Sequence, residues 1–252
     1  MKIQTQTLRI TVVCDNNRGV PGISPEWGFS CLITGAPHTI LFDTGGSGTT
    51  LLGNLKRLGI APDEIELVFL SHLHADHTGG LAQLLEKNRH ATVCYPASFP
   101  VKFTQALSRG GIKTQALRAA AKIGDGVYTT GELGSWIREQ SLMIPTEKGT
   151  VLITGCAHPG IVNIVTAARA ILGSDVYFVL GGFHLGGMGG KDLAEIIKAF
   201  KKLNVTSVGP CHCSGDTARR LFKIAFGSRY VDIGAGSVIT FDGALSPNSG
   251  VR

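Results

Sequence analysis

Short apolar runs rich in β-branched residues alternate along the chain with longer stretches in which apolar residues recur at helical spacing. The short runs are typical of strands and the longer stretches of amphipathic helices. The predicted strands comprise residues 8–13, 29–33, 39–42, 66–70, 92–95, 150–154, 176–180, 206–208 and 238–241, and the predicted helices comprise residues 49–58, 79–87, 161–172, 191–203 and 216–226. Hairpin-like strands followed by strand–helix alternation favour an α/β sandwich in which helices cover sheets.

The segment from residue 96 to residue 144 has the weakest periodicity. Its pattern indicates a helix near Gln105, strands near Val127 and Ile137, and irregular loops that we expect to form a pocket wall. No linker rich in Pro or Ser divides the chain, and a single core can extend to roughly 250–300 residues. Residues 1–252 are therefore predicted to form a single domain.

Composition narrows the class of protein. Hydrophobic residues make up 43% of the 252 residues and charged residues 17%, which excludes a disordered chain. The formal net charge of +6 comes from dispersed basic residues, so a solvated surface is favoured over a nucleic-acid site. The longest strongly apolar run, residues 176–180, is far shorter than the roughly 20 residues that span a bilayer. With no signal-peptide pattern at the N-terminus, we expect a cytoplasmic protein with reduced cysteines.

Six of the eight histidines follow predicted strands closely. These are His72, His74, His77, His158, His184 and His212. Loops at strand ends are where a rigid scaffold presents functional side chains, so this repeated placement indicates a site.

The densest group lies in residues 71–80. His72 and His74 are spaced to project the same way from an extended segment, and Asp76 and His77 can reach a second position where the chain turns. Imidazole and carboxylate together suit Zn²⁺, Mn²⁺ or Fe²⁺. The alternative is a polar turn that caps a helix at Asp76 or Thr78.

The pattern His72-x-His74-x-Asp76-His77 resembles the signature of the metallo-β-lactamase-fold superfamily. Asp43, His158 and His212 also fall in that family's order, and the resemblance implies a four-layer αβ/βα sandwich. It further implies two divalent cations, with zinc expected and manganese or iron as alternatives. The implied ligands are His72, His74 and His158 for one ion and Asp76, His77 and His212 for the other, with Asp43 orienting a ligand imidazole.

A narrower resemblance is carried by segments 13–17, 155–160, 181–185 and 210–215. They are similar to the branch labelled 7,8-dihydropterin-6-methyl-4-(β-D-ribofuranosyl)aminobenzene-5′-phosphate synthase, a label that belongs to tetrahydromethanopterin biosynthesis. In most of the superfamily an Asp after the penultimate strand bridges the metals, whereas this chain has residues 182–184 there. We predict that His184 is an additional ligand, and that the bridge is left to water; in the alternative, His184 hydrogen-bonds substrate. Asp76 and His184 are the predicted catalytic residues.

Three residues are predicted to contact substrate. Trp27 stands where this branch often has His, and it either contacts the substrate or packs at the pocket rim. Asn16 lines the pocket or forms an Asx turn. Lys191 follows a Gly-rich loop at a predicted helix N-terminus, which either binds an anion or is a flexible turn.

The neighbouring cysteines allow a second interpretation of the ligand set. Adjacent side chains in an extended segment point to opposite faces, so Cys211, His212 and Cys213 are not expected to share a metal. We expect Cys211 and Cys213 to be buried thiols, and Cys156 to approach the site from the same face as His158.

The predicted function is a metal-dependent, dinuclear hydrolase that acts on a small anionic or phosphate-bearing molecule by generating hydroxide near neutral pH. The alternatives are a condensing synthase of pterin biosynthesis and a non-catalytic metal- or ligand-binding protein. A nuclease of the same fold would need a clamping domain or a strongly basic surface. We therefore expect neither nucleic acid nor membrane as a partner.

Overall fold

A computed structural model describes residues 7–241 of the chain. Its strands are β1 (Leu8–Cys14), β2 (Ser30–Thr34), β3 (Ile40–Phe42), β4 (Leu67–Phe69), β5 (Thr92–Pro96), β6 (Thr114–Leu117), β7 (Ala121–Gly124), β8 (Val127–Thr129), β9 (Leu142–Thr146), β10 (Gly149–Thr154), β11 (Val176–Gly182), β12 (Ser207–Cys211) and β13 (Val238–Phe241). Its α-helices are α1 (Gly48–Arg57), α2 (Ala75–Thr78), α3 (Leu81–Lys87), α4 (Val101–Arg109), α5 (Ile161–Leu172), α6 (Gly190–Lys202) and α7 (Asp216–Phe226).

The strands form two sheets. The first has the order β13-β1-β2-β3-β4-β5-β6 and the second the order β12-β11-β10-β9-β8-β7. Strands β3 to β6 are parallel to one another, as are β10 to β12, while the remaining pairings are antiparallel. Since the parallel strands of a sheet end at one edge, the loops that follow them lie together.

Three apolar cores define the layers. Between the sheets, Phe42 and Phe69 of the first sheet share a buried cluster with Val151, Phe178 and Leu180 of the second. The neighbouring residues in these strands point outward, because successive side chains alternate between faces. Because each sheet is buried on this inner face and packs against helices on its outer face, the parallel strands appear in the sequence as nearly continuous apolar runs.

Helices cover the two outer faces. Leu51 of α1 and Leu84 of α3 pack with Val68 on the outside of the first sheet. Ile164 of α5 and Phe222 of α7 pack on the outside of the second. This arrangement is the predicted four-layer αβ/βα sandwich, and the α/β fold class is confirmed.

The strongly periodic elements lie where the sequence predicts them, and the differences fall in the middle segment. The strand predicted near Ile137 is wrong: residues 130–141 form a loop with one isolated bridge between Leu133 and Glu139, and the strand is β9. Strands β6 and β7 have no counterpart in the prediction, because their side chains are mostly partly exposed and give no apolar run. Within the described residues, no helix combines the length and apolar character needed to cross a bilayer.

Candidate metal centre

Loops after four strands bring the six histidines into one cluster. His72, His74 and His77 follow β4, His158 follows β10, His184 follows β11, and His212 follows β12. Neighbouring imidazole centroids in this cluster lie 4.2 to 5.0 Å apart, from the His72–His77 pair to the His77–His212 pair. The predicted grouping of these side chains at one edge of the sandwich is therefore what the structure shows.

The first potential metal site is formed by three imidazoles. The Nδ1 atom of His74 lies 3.1 Å from Nε2 of His72 and 3.2 Å from Nε2 of His158. Tetrahedral zinc with bonds of about 2.0 Å to nitrogen places neighbouring ligand atoms about 3.3 Å apart. Both distances from His74 Nδ1 are close to that separation. His72 is buried and His74 is exposed, so this group of three imidazoles extends from the protein interior to the solvent.

The second group contains Asp76, His77 and His212, together with the sulfur of Cys156. Oδ2 of Asp76 lies 3.3 Å from Nε2 of His212 and 3.8 Å from Nε2 of His77. Partial burial opposes ionisation of Asp76, yet the adjacent rings of His212 and His77 lower its pKa below the ordinary value. The Asp76 carboxylate is therefore anionic at neutral pH.

The buried His212 Nε2 atom lacks a well-formed hydrogen bond to any residue of the described chain. Buried polar atoms of native proteins are rarely left unsatisfied, and a bound ion is one physical reason for such an atom. Its Nδ1 atom lies 2.9 Å from Oδ1 of Asn16, which fixes the proton on Nδ1 and leaves a lone pair on Nε2. The residues present therefore fit a divalent cation at this position.

Asp43 orders the two deepest imidazoles. Its Oδ2 atom accepts from Nδ1 of His77 at 2.7 Å and from the Ser71 hydroxyl at 2.7 Å. Because that hydroxyl donates to Asp43, it accepts the proton of His72 Nδ1, 2.9 Å away. These bonds place the Nδ1–H of both His72 and His77 away from the centre, and Nε2 of each ring is the nitrogen that faces it. Burial, followed by the neighbouring histidines, lowers the pKa of His72, which keeps this imidazole neutral.

The backbone of the site is strained at three of these positions. Asp43, His184 and His212 have φ angles of 53°, 53° and 48°. Left-handed conformations in residues other than glycine cost on the order of 1–3 kcal/mol and cluster at functional sites. Each of these residues comes just after a strand, and the conformation turns its side chain toward the centre.

Glu139 is a component that sequence reasoning missed. Its Oε1 atom accepts from the backbone N–H of Gly155, Cys156 and Ala157 at 2.9 to 3.1 Å, and its Oε2 atom accepts from that of His158 at 2.9 Å. Complete burial raises its pKa to about 7, although the N–H groups of His158 and Ala157 favour the ionised form. One carboxylate therefore shapes the whole turn that presents Cys156 and His158.

A third group lies beside the first two and contains Cys156, His184 and Cys213. The prediction of buried thiols holds for Cys211, whereas Cys213 is partly exposed, and its sulfur lies 3.3 Å from that of Cys156. The expectation of an extended segment is wrong here, because residues His212–Ser214 form a 3₁₀ turn that directs Cys213 to the cluster. A hydrogen bond with Cys213 raises the pKa of His184 despite its partial burial.

The residues predicted to contact substrate lie in different surroundings. Trp27 is 61% exposed, and its ring centroid lies 5.2 Å from that of His212, at the rim of the centre. Both polar ends of the Asn16 side chain are bonded to His212, so Asn16 holds that residue in place. Lys191 is exposed in the first turn of α6 and makes no described hydrogen bond or ion pair.

Two grooves reach the histidine cluster. One, of about 320 Å³, runs from His158 and His184 toward Met188 on the β11–α6 loop. The other, of about 360 Å³, runs from His74 past Trp136 and Arg138 and is lined on its far side by residues 98–100. Each groove leaves room for a ligand beside the centre, and residues 98–100 and 135–138 of the middle segment line the second one.

Comparison with known proteins agrees with this architecture. The sequence model of the metallo-beta-lactamase superfamily matches residues 28–191, more than half of the chain, and the chain therefore belongs to that superfamily. A 7,8-dihydropterin-6-methyl-4-(beta-D-ribofuranosyl)-aminobenzene-5′-phosphate synthase of Methanocaldococcus jannaschii is 31% identical over 270 residues, which cover 86% of this chain and 92% of the relative. An uncharacterized protein of the same organism is 30% identical over 221 residues, which cover 75% of this chain and 84% of that protein.

Solved structures point to the same superfamily. Tm1679, described as a metal-dependent hydrolase of the beta-lactamase superfamily, superposes with a TM-score of 0.78 at 28% identity, over 92% of this chain and 98% of that one. The metallo-beta-lactamase fold protein YhfI from Bacillus subtilis superposes with a TM-score of 0.69 over 94% of this chain and 100% of that one. At 15% identity, YhfI supports the fold alone. Members of this superfamily typically bind divalent metals, and the resemblance described from the sequence is confirmed.

The Asp43–Ser71–His72 chain leads to a first prediction. A Cβ atom added at Gly155 would lie 2.2 Å from Oγ of Ser71, so Gly155→Ala must displace that hydroxyl. Outer hydrogen-bond partners of ligand histidines contribute about 10–100-fold in metal affinity. We expect Gly155→Ala to lower zinc affinity within this range, measured by competition with a chromophoric chelator. Gly190→Ala is the control, because a Cβ there meets no atom within 4 Å; equal affinity in the two variants would contradict the proposed chain.

Glu139 leads to a second prediction. In Glu139→Gln the amide oxygen can still accept from three N–H groups, but its NH₂ group then opposes the N–H of His158. A buried donor left without a partner costs roughly 1–3 kcal/mol. We expect a loss of about 2 kcal/mol in the free energy of unfolding, measured by urea denaturation of the metal-free protein. Glu147→Gln, on the exposed β9–β10 turn, should show no change; a stable Glu139→Gln protein would mean that the turn forms without this carboxylate.

Proposed function

We propose that the protein is a metal-dependent hydrolase that holds two divalent cations and acts on a small anionic, phosphate-bearing substrate. The observation that carries this proposal is the convergence of imidazole nitrogens and one carboxylate on a single centre, with Nδ1 of His74 3.1 Å from Nε2 of His72 and Oδ2 of Asp76 3.3 Å from Nε2 of the buried His212. Zinc suits the imidazole and carboxylate ligands, and manganese or iron are alternatives. In the proposed assignment, His72, His74 and His158 hold one ion and Asp76, His77 and His212 hold the other.

The surrounding residues fix the protons and the orientation of these ligands. When bound, a pair of cations polarises an ester or phosphoryl oxygen and makes water available as a nucleophile near neutral pH. Asp43 holds the ring proton of His77 on Nδ1 directly and that of His72 on Nδ1 through Ser71, so that Nε2 of both rings faces the centre. His184 is exposed next to His158, with ring centroids 4.5 Å apart, and it can hold a proton for a departing group.

The substrate class is proposed from the two grooves. The groove toward Trp136 and Arg138 offers an aromatic face together with a cationic side chain. Trp27 adds a second exposed aromatic face, beside His212. An aromatic group and an anionic group on one small molecule would use both kinds of contact.

A second candidate function is a condensing synthase that joins a dihydropterin to a ribofuranosylaminobenzene phosphate. It is favoured by the 31% identity to the synthase of M. jannaschii across 86% of this chain. The exposed rings of Trp27 and Trp136 would provide stacking surfaces for two aromatic reactants. Both candidate functions require the same metal centre, and they differ in whether water or an aromatic amine is the nucleophile.

The test of the leading proposal is metal content combined with turnover. We expect protein purified without chelator to contain two equivalents of zinc, manganese or iron per chain by elemental analysis. We further expect metal-dependent hydrolysis in a panel of phosphodiesters, phosphomonoesters and lactones. Asp76→Asn should lower the metal content toward one equivalent and reduce turnover at least as much as the roughly 10–100-fold seen for outer partners.

The matched control is Asp63→Asn, which changes an exposed carboxylate outside the cluster and should keep both metals and full turnover. Two bound metals without hydrolysis would select the synthase if the protein forms a condensed product from 4-(β-D-ribofuranosyl)aminobenzene 5′-phosphate and a 7,8-dihydropterin with a diphosphate on its 6-methylene carbon. In that reaction the aromatic amine displaces diphosphate and releases a proton. Folded protein without stoichiometric metal would overturn both candidates and favour a ligand-binding role.

A further inference from the structure

Cys156 occupies the middle of the cluster. Its sulfur belongs with His72 and His158 on one side and with Asp76, His77 and His212 on the other, and within each group the potential ligand atoms lie within 4.8 Å of one another. It is the residue that these two groups share among the described residues. We propose that the Cys156 thiolate bridges the two metal ions, in the place that a carboxylate takes elsewhere in the superfamily; this inference rests on the proposed dinuclear site.

The position of the sulfur supports a bridge. It lies 3.2 Å from Nε2 of His77, a spacing typical of two ligands of one ion. On the other side it lies within 4.8 Å of a ring nitrogen of His72 and one of His158. A thiolate sulfur has several lone pairs and can bind two cations, whereas the single free nitrogen of a neutral imidazole binds one.

The turn that holds Cys156 is built to fix its direction. Glu139 accepts from the N–H of Cys156 at 3.1 Å and from both flanking N–H groups. The following residue, Ala157, has a φ of 61°, so the chain reverses directly after the cysteine. The side chain is 3% exposed, which protects the sulfur from bulk solvent.

His184, at the position expected to replace the bridging Asp, does not fill that role. It lies with Cys156 and Cys213 in a group separate from the two histidine groups. Its exposed ring lies next to His158 and can contact only one ion there. From the sequence we expected water alone to bridge the two ions, which would leave excess positive charge. In the present proposal Cys156, which follows β10 and not β11, bridges them and supplies negative charge.

Cys213 is the competing sulfur ligand. Its sulfur is 3.3 Å from that of Cys156 but belongs to neither histidine group. If Cys213 supplied the metal-bound sulfur, mutation of Cys156 would leave the sulfur signal in place. The two cysteines can therefore be separated by single substitutions.

The experiment uses the wild-type protein loaded with two equivalents of zinc and, separately, of cobalt. Zinc-edge X-ray absorption should show an average of one sulfur per zinc at about 2.3 Å. The dicobalt protein should show a thiolate-to-cobalt charge-transfer band that grows with both equivalents, and magnetic coupling between the ions. These spectra do not depend on turnover.

Variants then assign the sulfur. Cys156→Ser should lose the sulfur shell and the charge-transfer band, while Cys213→Ala and the core control Cys94→Ala keep both. If Cys156→Ser does not fold, the proposal is still tested by Cys213→Ala, which must retain one sulfur per zinc. Loss of that sulfur in Cys213→Ala, or its persistence in Cys156→Ser, would overturn the bridge.

The outcomes also separate this inference from the proposed function. Two bound metals with no sulfur in the wild-type spectra would overturn the bridge and leave the dinuclear hydrolase intact. A wild-type protein that binds fewer than two ions would overturn both.

Discussion

The buried carboxylate of Asp43 is the group on which the rest of the centre depends. It accepts from the Ser71 backbone, the Ser71 hydroxyl and the His77 ring, each at 2.7 Å. A carboxylate buried without such partners would cost several kcal/mol, so the β4 loop is constrained to bring its donors to it. The parallel register that pairs Phe42 with Phe69 places Asp43 next to that loop. Strand pairing in the core therefore positions the carboxylate that orients two histidines of the cluster.

A second buried carboxylate, that of Glu139, positions the part of the centre that follows β10 of the second sheet. Glu139 gathers four backbone donors from the turn after β10, and the adjacent Gln140 donates from its side chain to the carbonyl of Leu70 at 2.8 Å. The residues that shape the Cys156–His158 turn are thus joined to the β4 loop of the other sheet. The two halves of the cluster are positioned relative to each other by buried polar contacts as well as by the apolar core.

The sequence predicts the layers and the histidine cluster because each depends on local signals. Apolar periodicity predicts the layers, and the group of potential ligands within six positions of one loop indicates the cluster. It does not predict Glu139, since that role depends on a contact with residues 16 to 19 positions later, from a segment without periodicity. The position of the Cys156 sulfur depends on the backbone reversal at Ala157, which no residue-type signal indicates. The prediction for Cys213 is wrong because the chain turns immediately after β12, whereas the pattern favours an extended continuation.

The charges around the centre connect these observations. The protein as a whole carries a formal charge of +6, yet Asp43, Asp76 and Glu139 all lie close enough to His77 to raise its pKa, against the opposing effect of burial. In the metal-free protein this local negative charge therefore favours a proton on His77. Metal ions compete with protons for the same nitrogen, so ligand binding and proton release are coupled. An anionic thiolate at Cys156 would add to this negative charge. The centre would then keep a negatively charged bridging group even though an imidazole, His184, follows β11 where the family has a carboxylate.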